Sequence, residues 1–474
     1  MTSYVQGVSR EQITLFPQRL DELVRADAPV RVIDAFVDRR VDVRALGFEK
    51  AVPERTGRPG YDPRDLLKLQ LYGYFNRVRS SRRLEQECHR NVEVLWLMNQ
   101  LTPDHKTIAD FRRDNRGPIV KVCRELVEFC REHGLYGSEL VAIDGSKFAA
   151  QNSPQRARTL AQIKKEREEL DKRIAGYLAQ VDAADAAEAS EEVATGDARA
   201  ALAALQAQRA DVAQKVLLME EMKLTQVTST DRDSRLMLAA RGGYVVGYNV
   251  QVAVDSKHGL IAHHAVTQDA TDQNQLAAVA EGAQEALVVE KLDVAADAGY
   301  GDAEELKRCE EGGITPYVPH PRSVNTKGHF DKSQFTYEPE SNTYRCPAGE
   351  MLRFHSASVQ KQAINYVGIA CSGCRLKPQC TGAKARWVTR HVHEDVLERV
   401  AARMKLRPGI MKRRGALAEH PFGVIKDMMG FPRFLGRGLK TVAAEMALSV
   451  TAFNLKRLIT ILGVDQLLQK LAAA

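Results

Sequence analysis

The chain has 474 residues, 44% of them hydrophobic and 27% charged, with a formal net charge of +7 and a pI near 8.9. At ~150 residues per domain this length suggests roughly two to four structural units with a sizeable core, and the basic balance favours a polyanionic partner. The first residues, MTSYVQGVSREQITLF, hold no apolar segment of the secretory type, and no uninterrupted apolar run approaches the ~18 residues of a membrane span. A secretory leader and a membrane anchor are therefore not expected, and the eight cysteines read as reduced thiols of a cytoplasmic protein.

Residues 1–137 read as mostly helical. In DPRDLLKLQLYGYF, Asp62 before Pro63 suits an N-cap followed by a first-turn proline. SSRRLEQECHRNVEVLWLM is a second candidate helix, and TPDHKTIADFRRDN a third with Thr102 or Asp104 as its cap. Arg77, Arg79, Arg82, Arg83, Arg112 and Arg113 give these helices basic faces that suit a DNA-binding module. A helical packing or oligomerisation domain is the alternative.

Glu139 to Ile143 reads as a short strand ending at Asp144 in ELVAIDGSK. From about residue 155 to 225 the pattern turns Ala-, Glu-, Lys- and Gln-rich. IKKEREELDKRIAGYL and ALAALQAQRADVAQKVLLMEEM form two helices of an inserted hairpin, with VDAADAAEASEEVATGDA as the loop or hinge between them. Strand character then returns. Tyr248, Val250, Val252 and Val254 alternate along one strand of a hairpin turning at DSKHG, where Asp255 serves the turn. An amphipathic helix follows, with Asp272 as a candidate cap. LDVAADAGY is the next strand, with Asp297 at its carboxyl end; a helix and the strand ITPYVP complete the run. Asp231 and Asp233 read as a loop near the strands. The order suits a mixed α/β sheet flanked by helices, in which residues at strand ends converge on one crevice.

Residues 322–395 form a small cysteine-rich insertion. Cys346, Cys371, Cys374 and Cys380 are spaced C-x24-C-x2-C-x5-C, four thiols within 35 residues of an otherwise cysteine-poor chain. A C-x2-C pair plus two further thiolates suits tetrahedral structural Zn²⁺, with His355, His391 and His393 as substitute ligands. Four unligated thiols are the alternative. Cys88, Cys123, Cys130 and Cys309 fall at apolar helix positions and read as core.

Residues 401–440 hold ten Lys or Arg and two acids, Glu419 and Asp427. Glu419 is thus a carboxylate in the most basic stretch of the chain. Asp144, Asp297 and Glu419 together suit hard divalent cations, which take a few carboxylates plus substrate phosphates, and two such ions can activate a water and stabilise the leaving oxygen of a phosphodiester.

The motifs AIDGSK, GYNVQVAVD followed by TDQNQL, ADAGYGD, and AEHPFGVIK, in this order, resemble bacterial insertion-sequence transposases of the DDE class. YDPRDLLKLQLYGY through DHKTIADFRRDN is similar to the helical domain that precedes the catalytic domain in many members. The resemblance implies a ribonuclease-H-like mixed sheet with helices on both faces over 138–474, interrupted by the helical hairpin and the cysteine-rich insertion. It implies catalytic acids at Asp144, Asp297 and Glu419 holding two Mg²⁺ (or Mn²⁺) ions. Lys426, seven residues after the glutamate, matches a family lysine that grips phosphate. The family's arginine position is Gly415 here, with Arg413 and Arg414 just upstream, and its tyrosine position is Lys412. Pro421 implies that the surrounding helix starts or bends there. The implied activity is cleavage and strand transfer at the inverted-repeat ends of the element, on double-stranded DNA as element end and target, by a dimer in the active complex. A metal-dependent nuclease without strand transfer and a catalytically inert DNA-binding protein are the competing readings.

Overall fold

The computed structural model describes residues 19–53, 59–152, 157–186, 192–221, 226–228, 230–239, 242–319, 328–360 and 362–473. Residues 1–16, in which no leader is expected, lie outside them. The chain forms two compact units: one holds the residues up to Leu135 together with those from Pro421 onward, the other Tyr136–His420. This division differs from the expected 1–137 and 138–474, because the C-terminal segment packs with the N-terminal helices.

The first unit contains α1 (Pro29–Arg40), α2 (Pro63–Phe75), α3 (Ser81–Arg90), α4 (Val92–Leu97), α5 (His105–Asp114), α6 (Arg116–Glu132) and a C-terminal helix, Leu439–Ala473. Their starts follow local chemistry. Asp62 accepts from the Arg64 N–H at 2.8 Å with Pro63 in the first turn, and Asp104, not Thr102, caps α5 by accepting from the Thr107 N–H at 2.6 Å. The single helix expected over 80–98 is two, because the Asn91 side chain accepts from the N–H groups of Glu93 and Val94 and starts a new helix. The C-terminal helix is long and apolar enough to cross a membrane by length and composition. Its Val442, Met446, Val450, Leu455 and Leu458 are buried, and the helix packs on α1, α2 and α6, so the apolar surface meets this unit's own core. Gly463, at φ 75°, breaks its helical path.

In the second unit a sheet is built from β1 (Leu140–Ala149), and further along the chain come a short β2 (Ala157–Thr159), α7 (Leu160–Ala186), α8 (Glu192–Glu221) and β3 (Gln226–Thr228). The helices α7 and α8 pack through Ile163, Leu170, Leu205, Val212, Val216 and Met219, and antiparallel pairing of β2 with β3 closes their base. The loop expected over 181–198 is largely helical; its residues 187–191 lie outside the described ones. Next come β4 (Arg235–Leu238), β5 (Tyr244–Asp255), β6 (Ile261–Thr267), α9 (Leu276–Leu287), β7 (Leu292–Ala295), α10 (Ala303–Glu311) and β8 (Ile314–Tyr317). The main sheet runs β4-β5-β1-β7-β8, with β6 also on β5; β1 is antiparallel to β5 and parallel to β7, which is parallel to β8.

The cysteine-rich region is an antiparallel sheet in the order β13-β12-β11-β10-β9, formed by β9 (Thr336–Glu338), β10 (Thr343–Arg345), β11 (Met351–Ser358), β12 (Ala363–Gly368) and β13 (Trp387–His391), with α11 (Lys377–Cys380) before the last strand. Phe335, Tyr344, Leu352, Tyr366 and Val388 form its core. Then follow α12 (Glu394–Leu406) and α13 (Ile410–Gly423). Glu310 of α10 accepts from Arg399 of α12 at 2.7 Å and from Arg403, tying α12 to α10 beside the main sheet.

Candidate active site

The central strand opens the site. β7 pairs with β1 only over Leu140–Ala142 and ends at Ala295, whereas β5 pairs with β1 from Val141 to Ala149. Beyond Ala142, therefore, no strand among the described residues lies against the β7 side of β1, and Asp144 lies in this stretch. The expected strand end at Asp144 is corrected: the strand continues, because β5 carries the ladder on, with Asp144 opposite Val252. Asp297 lies two residues past β7. Its carboxylate accepts from the Gly299 N–H at 2.8 Å and caps the 3-10 turn Ala298–Tyr300, which fixes the acid at the mouth of the same gap.

Arg414 reaches into the gap from α13. Its Nε and Nη2 donate to the Ile143 carbonyl at 3.2 and 3.1 Å, and Nη2 also donates to Asp144 Oδ1 at 2.7 Å. The same nitrogen stands 3.6 Å from Asp297 Oδ2. One guanidinium nitrogen thus faces both acids, with the Arg414 side chain only 9% exposed. Burial pushes the Asp144 carboxyl up to about 6; the Arg414 charge and the Gly145 N–H hold it down, and the neighbouring Asp297 charge raises it further.

Glu419 follows Arg414 by five residues on α13 and is exposed. A side chain on Gly415 would place its Cβ 3.6 Å from Glu419 Oε1, so the glutamate leans back along its own helix over the glycine. Among the described residues no three His, Cys, Asp or Glu side chains form a group able to hold a metal ion. The structure brings Asp144 and Asp297 together with Arg414 between them, and Glu419 makes no hydrogen bond or ion pair among the described residues. The pair of hard oxygen donors fits Mg²⁺ or Mn²⁺, which binds through one or two carboxylates plus water and substrate phosphate. Lys412 and Arg413 are exposed on α13. That helix does not start at Pro421; it runs through the proline and widens into a π turn, Val424–Met428, which carries Lys426 and belongs to the first unit.

Beside Asp144 lies a polar lattice that sequence reading missed. Asp272 does not cap α9 with its side chain. Instead Oδ1 accepts from Lys147 Nζ at 3.1 Å, Asn249 Nδ2 at 2.7 Å and Gln251 Nε2 at 2.7 Å. Gln251 Oε1 accepts from the Tyr300 hydroxyl, three residues after Asp297. Burial and the carboxylates of Asp272, Asp144 and Asp297 drive the Tyr300 hydroxyl far above its ordinary pKa. The available signal was Asn249 and Gln251, two polar residues on one face of an otherwise apolar, buried strand. Asp255 does serve its turn, accepting from the N–H groups of Gly137, Ser138 and Lys257. Asp231 is buried and accepts from the Tyr248 hydroxyl at 2.8 Å.

The arginines of the first unit have different roles. Arg82 and Arg83 are exposed on α3. Arg79 donates to the carbonyls of Gly430 and Arg433 and stacks over Phe431. Arg113 pairs with Asp110 and Asp114, while Arg112 is half-buried near Glu445. In the other unit Cys346, Cys371, Cys374 and Cys380 line one small cavity with Gly368 and Leu352. Burial and the other three thiols raise the Cys380 pKa while Arg386 lowers it, and the Cys371 sulfur accepts from the Arg386 N–H at 3.4 Å. Four thiols are the donor chemistry that Zn²⁺ takes; in this structure they share a cavity, and no three of them are drawn together into a metal-holding group. Cys88, Cys123, Cys130 and Cys309 are buried in the cores.

Two family models match the chain. The family described as Transposase domain (DUF772) matches residues 18–114, and the family described as Transposase DDE domain matches residues 345–459. The second match contains Glu419, Arg414 and Lys426; Asp144 and Asp297 lie before it. No curated protein and no solved structure gives a significant match.

Proposed function

From the premise that this chain belongs to the insertion-sequence transposases of the DDE class, we propose that it binds the inverted-repeat ends of its element and catalyses metal-dependent strand cleavage and strand transfer. The observation that carries this reading is the meeting of Asp144 and Asp297, from adjacent parallel strands, on one nitrogen of Arg414, five residues before Glu419. The strand order β6-β5-β1-β7-β8, with β1, β7 and β8 parallel, supports a ribonuclease-H-like catalytic domain. On that reading α7 with α8, and the sheet β9–β13, are insertions.

Asp144, Asp297 and Glu419 are the residues that would hold Mg²⁺ or Mn²⁺. When bound, such ions neutralise charge on the scissile phosphate and make water or a 3′-hydroxyl a better nucleophile. The chain's own groups do the positioning. Gly145 N–H and Arg414 orient the Asp144 carboxylate, and the Gly299 N–H orients Asp297. Lys412 and Arg413 supply cations for the phosphates flanking the cut, Lys426 matches the family lysine that grips phosphate, and Arg82 and Arg83 supply cations on the helical unit, which we assign to DNA binding. Two element ends must be held together, so the active DNA complex is a dimer. The protein acts in the cytoplasm, without a membrane. Cys346, Cys371, Cys374 and Cys380, which line one cavity, are the residues that would hold a structural Zn²⁺, and such an ion would supply a cross-link within the cysteine-rich sheet.

The test uses the purified full chain, Mg²⁺ and a labelled duplex carrying one element end. Cleavage that disappears in Asp144→Ala, Asp297→Ala and Glu419→Ala supports the reading; equal cleavage by all three variants overturns the site. Joining of a pre-nicked 3′-OH end to target DNA separates a transposase from a nuclease.

A further inference from the structure

We propose that Arg414 is a positioning residue that takes the place of the divalent cation between Asp144 and Asp297 and must give it up when the cation binds. The inference rests on the reading of these two acids as cation ligands. Three observations carry it. One nitrogen, Nη2, serves both acids, at 2.7 Å from Asp144 Oδ1 and 3.6 Å from Asp297 Oδ2. The guanidinium is buried and further anchored on the Ile143 carbonyl, so its charge is held in the gap rather than offered to solvent. Finally, Glu419, the third acid of the expected set, takes no part in this contact.

Two like charges side by side, the Asp144 carboxylate largely buried and that of Asp297 about half exposed, repel each other without a cation between them. Arg414 supplies that charge in the protein alone and keeps both carboxylates turned toward one point. The same placement opposes a metal. A Mg²⁺ ion binds carboxylate oxygen at about 2.0–2.1 Å, so an ion on this pair comes within a few Å of a fixed positive charge in a partly desolvated gap, where repulsion is only weakly screened. Arg414 and the cation therefore compete for the same electrostatic place, and binding of one lowers the affinity for the other.

Arg414→Gln removes the charge and keeps a donor amide; Arg414→Lys keeps the charge. Mn²⁺ binding to the full-length chain without DNA, measured by calorimetry or by the loss of the free-ion paramagnetic signal, is expected to tighten by at least about tenfold in Arg414→Gln and to stay near wild type in Arg414→Lys. A second measurement needs no variant at this position. Phenylglyoxal modification of Arg414 in the wild-type chain, read by peptide mass spectrometry, is expected to rise several-fold when Mn²⁺ is added, and this rise is expected to vanish in Asp144→Asn/Asp297→Asn. If Mn²⁺ binds and needs both acids, yet Arg414→Gln binds no more tightly and Arg414 stays protected, the competition is wrong while the active-site reading stands. If the wild type binds no Mn²⁺ that the double variant loses, both fail.

Discussion

Gln251 donates from Nε2 to Oδ1 of Asp272 at 2.7 Å, in space left free by the missing side chain of Gly145. A Cβ on Gly145 would lie 2.5 Å from that Nε2 and 2.6 Å from that Oδ1. The bond joins the loop before α9 to β5, and Gln251 in turn accepts from Tyr300 in the turn that carries Asp297. The two acids thus sit on segments locked together through one buried lattice.

Gly145→Ala is accordingly expected to cost about 1–3 kcal/mol of stability, as overpacked sites do, and to lower cleavage by at least about tenfold by moving Asp144. Tyr300→Phe breaks only the last link and should keep most of the stability. Chemical denaturation and single-turnover cleavage measure both; an unchanged cleavage rate in Gly145→Ala would show that the lattice does not position the acid.

The raised pKa of Asp144 makes a pH prediction for the protein in chelator. Its folded value of about 6 lies above the ordinary 3.8, so the folded chain binds this proton more tightly than the unfolded chain. The associated stability is fully present below about pH 4 and is lost as pH rises through about 6. Asp144→Asn mimics the protonated form at every pH. The variant should match wild type near pH 4 and exceed it at pH 7 by on the order of 1–3 kcal/mol. Thermal melts in EDTA across this range check the sign, and a variant advantage that shrinks with rising pH would contradict it.

Arg82 and Arg83 are exposed on α3, whereas Arg79 is engaged with the carbonyls of Gly430 and Arg433. Arg82→Ala/Arg83→Ala should leave stability within about 0.5 kcal/mol and weaken binding of duplex DNA. The slope of log affinity against log salt should fall by about one for each phosphate that the variant no longer neutralises. Arg79→Ala should instead lower the melting temperature. Filter binding at several salt concentrations and calorimetry distinguish the two.

The cysteine cavity predicts one zinc per chain by metal analysis. Cys371→Ser/Cys374→Ser should lose it, and strong chelators should increase proteolysis within residues 328–395, since a structural site contributes its binding energy to folding. A protein purified without chelators that holds no zinc rules the site out.

Much of this architecture is legible in local chemistry. Asp62–Pro63 marks a helix start, the alternation through Val250, Val252 and Val254 marks a strand, and Ala-rich charged repeats mark α7 and α8, because capping, side-chain period and propensity act over a few residues. The end of β1 is not legible at Asp144, because the strand's length is set by its partner β5, about a hundred residues further on. The split at Asn91 is hidden because one side chain there competes with the helix for its own backbone.

What the sequence determined by itself was the inventory: three acids in intact motifs, a basic stretch around Glu419, a four-cysteine cluster and the order of the elements. Which groups meet is a property of the folded chain. The fold paired Asp144 with Asp297 across the gap where β7 stops short and made Asp272 the hub of a buried lattice rather than a helix cap. It also buried Arg414, one residue from the expected arginine position, against both acids while leaving Glu419 in solvent. The physical reason is range. Caps, turns and periodicity are properties of neighbouring residues, whereas the electrostatics of a buried carboxylate depends on charges that the fold carries in from about 150 or more residues away.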